Sequence, residues 1–345
     1  MRDELDFDPE ERPQKRMPIL ILSTVIVVML VITAAIALQK PRRAVSENKT
    51  PAASENQQEK WQEGVIRYQG KSYKYNSNIR AYLFMGVDKD EPVETAKDNI
   101  SGGQSDAMFL VATNSADETI SVITINRNAM TKIEICDEQG LNKTEVMSQI
   151  CLQHGYGDGK HYSCSKSVDA VSYLFYNIPI SGYLALNMGG IPGLNDSIGG
   201  VEVTVLQDLS WPDKGVDLHE GETVTLNGQE AYTYLRKRDT NVFDSASDRL
   251  RRQEQYITSF MAKAKTAIAG NADKALGIYN SISEYLVTDV DFVTLISELV
   301  TYDLAEDGVH TVPGETVMGD EFEEFYVDDD ALYELIIQIF YEEVK

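Results

Sequence analysis

Two short apolar runs, Ala81–Val87 (AYLFMGV) and Ala107–Thr113 (AMFLVAT), with a third strand-like run, Thr119–Asn126 (TISVITIN), constrain the fold of this chain more than any other feature. Their length is that of a strand, and a continuous apolar run of that length is buried on both faces, as in the middle of an α/β sheet. The turn Asn114–Glu118 makes the second and third runs neighbours. Asp88 closes the first run, Asp106 opens the second, and Arg127 with Asn128 follows the third. Ligands bind outside strand ends in open α/β sheets, which brings two carboxylates and a cation to one sheet edge. A turn or capping role explains Asp88 alone equally well. Beside an arginine cluster, Asp88 and Asp106 make chemical sense as a site for Mg²⁺, which prefers one or two protein carboxylates plus phosphate oxygens.

Such a cluster exists. The formal net charge is -24, yet Tyr234–Tyr256 (YLRKRDTNVFDSASDRLRRQEQY) collects six basic side chains. A helix from about Ser247 places Leu250, Ile257, Met261, Ala264 and Ile268 on one apolar stripe. Arg249, Arg252, Gln253 and Tyr256 then share a flank of that stripe in the first turns, where free backbone N–H groups also favour negative charge. Arg251 projects to the other side. Arg236 and Arg238 face one ligand only if the chain is extended after a Gln229–Leu235 helix ends. A solvated, charge-laced helix start is the plain alternative. In so acidic a chain, repeated guanidinium forks fit a phosphate or pyrophosphate better than a carboxylate metabolite. Because the arginines flank the stripe, they are expected to serve a ligand rather than folding.

The sequence pI near 4.5 argues against a general nucleic-acid binder, whose affinity comes from neutralising phosphates. Met17–Leu38 is a 22-residue run without a charged side chain, long enough to span a bilayer. Ala35-Ile36-Ala37 has the look of a signal-peptidase site, but the run exceeds the roughly 7–15 residues of a signal h-region. An uncleaved anchor is therefore expected. Basic residues flank both ends, so the short leader, residues 1–16, sets the N-terminus inside. Residues 39–60 read as a flexible stalk and 61–345 as the globular part, on the outer side. Within it, Thr144–His154 and Ser167–Asn177 have helical spacing, Tyr183–Met188, Val201–Val205 and Val309–Val312 read as strands, and Asp329–Tyr341 as an acidic amphipathic helix. The loop His154–His161 fails the P-loop spacing, and neither histidine has a zinc-ligand spacing. It reads as a connecting loop, or as a lid touching a sugar. Cys136, Cys151 and Cys164 allow at most one bridge, for instance Cys151 to Cys164, or three thiols. No nucleophile motif is present.

Six stretches in order, YLFMGVD ending at Asp88, SDAMFLVATN from Ser105, ISVITINRN with Arg127, LNDSIGGVEV, LNGQEAYTYLRKR with Arg236 and Arg238, and DRLRRQ with Arg249, Arg252 and Gln253, resemble the LytR-CpsA-Psr family of cell-envelope proteins. The resemblance covers about residues 78–265. It implies a single extracytoplasmic α/β/α domain with a central mixed sheet, a lipid tail held in an apolar tunnel, and one N-terminal transmembrane helix. It also implies a phosphotransferase that moves an anionic glycopolymer from a polyprenyl-pyrophosphate carrier to peptidoglycan at the cell membrane. Asp88 and Asp106 match that family's Mg²⁺ aspartates, with Asp106 and Arg127 as the catalytic pair. Arg127, Arg236, Arg238, Arg249 and Gln253 match its pyrophosphate contacts, and Arg252 lies in the same run. Where the family usually reads R-S-D and P-R-D, this chain has Gln104-Ser105-Asp106 and Asn126-Arg127-Asn128. A non-catalytic envelope sensor or attenuator and a pyrophosphate hydrolase are the alternatives.

Overall fold

The computed structural model describes residues 65–239, 241–268 and 271–344. The chain divides into two units, Met1–Ser54 and Glu55–Lys345, and every described residue belongs to the second. The apolar run Met17–Leu38 and the stretch 39–60 lie outside the described residues. Among those described, no helix is long and apolar enough to cross a membrane.

The three runs become β1 (Ile79–Val87), β2 (Ser105–Asn114) and β3 (Thr119–Ile125), paired antiparallel at the centre of one sheet. β4 (Gly182–Asn187) runs parallel to β1, β5 (Leu286–Thr288) antiparallel to β4, and β6 (Asp303–Thr311) parallel to β3. The order is β5-β4-β1-β2-β3-β6, a mixed sheet. Seven α-helices are described: α1 (His161–Leu174), α2 (Ile191–Ser197), α3 (Gly228–Arg236), α4 (Ser245–Ile268), α5 (Ala272–Ile282), α6 (Phe292–Thr301) and α7 (Asp329–Phe340). Alternation along β2 sends Met108, Leu110 and Ala112 toward α1 and α7, where Val171, Phe175, Leu332 and Ile336 close a core. Ala107, Phe109 and Val111 face the opposite side, where α2 to α6 lie. Helices on both faces make the continuous apolar strands soluble.

Two expectations need correction. Thr144–Gln149 is a strand, paired antiparallel with Met130–Ile135, and only Ile150–Gly155 is helical, as a 3₁₀ turn. Val146 faces inward while Met147 is 62% exposed, a period of two that a helical count over Val146, Met147 and Ile150 concealed. α1 starts at His161, six residues ahead of the expected Ser167. Asp158 Oδ1 accepts from the backbone N–H groups of Lys160 and Ser163 at 2.8 and 3.1 Å, which fixes that start, and the first buried positions are the polar or small Ser163, Cys164 and Ser167. All three cysteines are free thiols.

Candidate functional site

β1 and β2 do not end in regular alternation. Gly86 pairs with Ala107, but Val87 pairs with Ser105, so Asp106 is one residue too many. Bulges of this kind re-aim side chains. Ser105 Oγ thus lies 3.5 Å from Met108 Sδ and donates to the Cys151 carbonyl at 3.4 Å, on the α1 side. Asp106 turns instead into a cavity of about 490 Å³ lined by Asp88, Gln104, Asp106, Arg127, Trp211, Arg236, Lys237, Arg238 and Arg249.

α3 delivers three of these cations. Asn227 caps it, its side chain accepting from the Gln229 and Glu230 amides while Glu230 reaches back to the Asn227 N–H, a reciprocal capping box. The helix stops at Lys237, which is extended (φ -65°, ψ 133°), and Arg236 and Arg238 therefore share the cavity as expected. The Arg236 fork donates from Nη2 to Asp88 Oδ1 at 2.6 Å and from Nη1 to Asp90 Oδ1 at 2.5 Å. Tyr232 OH donates to the same Asp90 oxygen at 2.6 Å and accepts from Arg236. Burial opposes ionisation of Asp90, but the Tyr232 and Arg236 hydrogen bonds outweigh it and hold the carboxyl below its ordinary value.

Asp106 is the hub on the other side. Its Oδ2 accepts from Arg249 Nη1 at 2.9 Å, and its Oδ1 is 2.8 Å from Arg127 Nε. That second contact is an ion pair between groups that are each about a tenth exposed. Arg127 also donates to Gln104 Oε1. Arg249 Nη2 is buried with no partner among the described residues. Burial, with Arg127 and Arg238 nearby, draws the Arg249 guanidinium below its ordinary range despite Asp106. Arg238 makes no ion pair or hydrogen bond among the described residues. Five cations (Arg127, Arg236, Lys237, Arg238, Arg249) meet three carboxylates (Asp88, Asp90, Asp106), an excess of two positive charges. An anion fits that surplus.

Arg252 and Gln253 do not line this cavity. Arg252 is fully buried, donates from Nη2 to the Lys237 carbonyl and lies over the Tyr234 ring at 5.7 Å. Burial lowers its guanidinium to about 10. Gln253 Nε2 donates to the Leu235 carbonyl at 3.1 Å. Both brace the end of α3, because that end packs over the helix flank which the sequence left facing a ligand. Asn128 is buried too, its Oδ1 accepting from Gln149 at 3.3 Å and Arg127 at 3.4 Å. The loop His154–His161 lines neither this cavity nor the next: His154 is paired to Gly103 O at 3.0 Å and His161 to Tyr183 OH at 2.7 Å.

A second cavity, of about 190 Å³, lies against the sheet face that carries Phe84, Phe109 and Val111, between β1, β2, β4 and helices α2 and α4 to α6. Its lining is apolar apart from Gln253 and the Tyr256 hydroxyl, which is bonded to Asn195 at 3.2 Å. Gly86, Ala107, Leu235 and Gln253 line it, and each stands within one to four residues of a polar-cavity residue: Asp88, Asp106, Arg236 and Arg249. No residue lines both, but the same segments of β1, β2, α3 and α4 contribute to each.

The donor set suits a divalent cation in a restricted way. No group of three or more His, Cys, Asp or Glu converges among the described residues, so an all-protein cage is absent there. Asp88 and Asp106, facing one cavity, match in number the one or two carboxylates Mg²⁺ takes when phosphate oxygens supply the rest, though each is held by an arginine. Sequence reasoning missed Asp90, Tyr232, Trp211 and Lys237. Asp90 lies two residues beyond Asp88, past the apolar run that singles Asp88 out, and Trp211 carries no periodic signal.

A curated relative from Halalkalibacterium halodurans, named polyisoprenyl-teichoic acid--peptidoglycan teichoic acid transferase TagU, is 28% identical over 210 residues, 60% of each chain. This chain thus spans less than two thirds of that relative's length. Among solved structures, the protein gbs0355 from Streptococcus agalactiae aligns with a TM-score of 0.62 and 20% identity over 76% of this chain and 87% of its own. TagV of B. subtilis aligns with a TM-score of 0.58 and 20% identity over 76% and 97%. Both share the fold. The LytR_cpsA_psr family model matches residues 37–336, nearly the whole chain and both walls of the paired cavities, and the chain belongs to that family.

Proposed function

We propose that this chain is a membrane-anchored phosphotransferase that moves an anionic glycopolymer from a polyprenyl-pyrophosphate carrier onto peptidoglycan. One observation carries the reading: a cavity with two excess positive charges and an unpartnered buried guanidinium N–H is built from the same segments of β1, β2, α3 and α4 as an apolar cavity. Only an amphiphile with an anionic head and a long apolar tail uses both. The name of the H. halodurans relative accords with it. Met17–Leu38 serves as the single-pass anchor, with the N-terminus in the cytoplasm and the globular part outside.

Arg127, Arg236, Arg238 and Arg249 bind the pyrophosphate through charge-assisted hydrogen bonds. The Asp88 and Asp90 carboxylates give up Arg236 to it as it arrives. A peptidoglycan hydroxyl attacks the phosphorus next to the glycan, the new O–P bond forms as the P–O–P bridge breaks, and polyprenyl phosphate leaves, with the hydroxyl proton passing to the departing phosphate or to solvent. Arg127, held by Asp106, faces the charge that develops on the phosphoryl oxygens. Asp88 and Asp106 would hold Mg²⁺, which neutralises phosphate charge when bound. Incubating the full chain with labelled lipid-linked glycan, Mg²⁺ and peptidoglycan tests the reading. Label on peptidoglycan supports transfer; label retained on the protein alone makes it a binding protein or sensor, and free glycan phosphate makes it a hydrolase.

A further inference from the structure

The polar cavity has a single aromatic wall among the described residues, Trp211, and nothing in the pyrophosphate chemistry above requires one. It ends the strand Leu209–Trp211, paired antiparallel with Val216–Leu218, and Trp211 stands opposite Val216. Gly215 at φ 68° lets the hairpin turn tightly through Pro212–Lys214. The indole is braced from α3: its ring lies 6.3 Å from that of Tyr232 at 35°, and Tyr232 is the residue that joins Asp90 to Arg236. Lys214 and Lys237 place ammonium groups 5.2 and 5.8 Å from the indole centre. The ring is half-buried, and its N–H has no hydrogen-bond partner among the described residues.

This hairpin contributes no residue to the apolar cavity, so Trp211 serves the polar cavity alone. In an amphiphile whose tail fills the apolar cavity, the group beyond the pyrophosphate is the glycan. A sugar ring offers one face of C–H groups, which suits the negative face of an aromatic ring, and a rim of hydroxyls, which suits an unpaired indole N–H. The Lys214 and Lys237 ammonium groups lie over the ring; they swing to its rim when a sugar stacks there, where they favour a glycan that carries negative charge. Resting on the reading of this site as a polyprenyl-pyrophosphate site, we propose that Trp211 is the platform for the first sugar of the lipid-linked glycan, with Lys214 and Lys237 as its cationic rim.

The test compares two probes on the full chain, polyprenyl pyrophosphate and the same lipid carrying one N-acetylhexosamine on the pyrophosphate. Trp211→Ala weakens the sugar-bearing probe by roughly threefold to tenfold, the range of a single aromatic contact, and leaves the sugar-free probe within about twofold. Trp211→Phe retains most of the affinity for both. Equal loss for both probes, or no loss for either, overturns the platform. Should Trp211→Ala fail to fold, the chain's two tryptophans allow a direct readout: in Trp61→Phe the one remaining indole shifts its emission with the sugar-bearing probe and not with the sugar-free one. An identical shift with both overturns the platform. If the unaltered protein binds neither probe, the pyrophosphate reading itself fails; if it binds both equally, only the sugar subsite does.

Discussion

One cavity lies against a face of the sheet and the other at the ends of its strands, and they are built on opposite principles. In the polar cavity, Asp106 and Arg249 are about a tenth exposed or less, and each ion depends on the presence of the other. The apolar cavity is walled by deformable side chains such as Met188, Met261 and Phe260, where no pair depends on a single partner. Breaking a buried charge pair strands its partner, whereas apolar walls answer to volume. The first kind of site is expected to fail abruptly and the second by degrees.

The largest effect that sharpens this contrast is Asp106→Ala, which strands both Arg127 and Arg249 and costs about 3–5 kcal/mol. Urea denaturation measures it, and inorganic pyrophosphate recovers part of the loss by substituting for the missing carboxylate. A cost under about 1 kcal/mol would break the contrast. Next, Arg249→Ala and Arg238→Ala separate two roles that the sequence merged. Each weakens pyrophosphate binding by about 1.5–3 kcal/mol, but only Arg249→Ala, which removes an ion-pair partner from Asp106, also lowers the melting temperature. In the apolar cavity, Ala264→Phe overpacks at about 1–3 kcal/mol and weakens a long polyprenyl pyrophosphate while sparing one with a short chain. Equal weakening of both places the tail elsewhere. Smallest is Arg252→Met, which leaves pyrophosphate affinity unchanged and loses about 1 kcal/mol of stability for the unmade bond to the Lys237 carbonyl. Affinity loss as large as in Arg238→Ala would return Arg252 to the anion site.

The central sheet was legible because β1 and β2 are continuous apolar runs, a pattern that few other environments produce, and β3 follows β2 across a short turn. Asp88, Asp106 and Arg127 were legible for the same reason, since strand ends locate them. The directions of Arg252 and Gln253 were not, because helical phase gives an angle about α4 and not what packs there; the end of α3 covers that flank. Asp90 escaped notice because its partner Arg236 is 146 residues away, and no local pattern reports a contact at that distance. The strand Thr144–Gln149 was lost similarly, since its alternation acquires meaning only beside Met130–Ile135.

The surplus residue at Asp106 makes the chemistry of this site a question of parity. In an unbroken ladder Asp106 would fall on the same side as Met108, in the core with α1, where it would have no cation and great cost. One residue, odd instead of even, separates a carboxylate that governs two arginines from one that would destabilise the sheet. Deleting Ser105 alone would therefore disarm both Arg127 and Arg249 while leaving every residue that lines the cavity in the sequence.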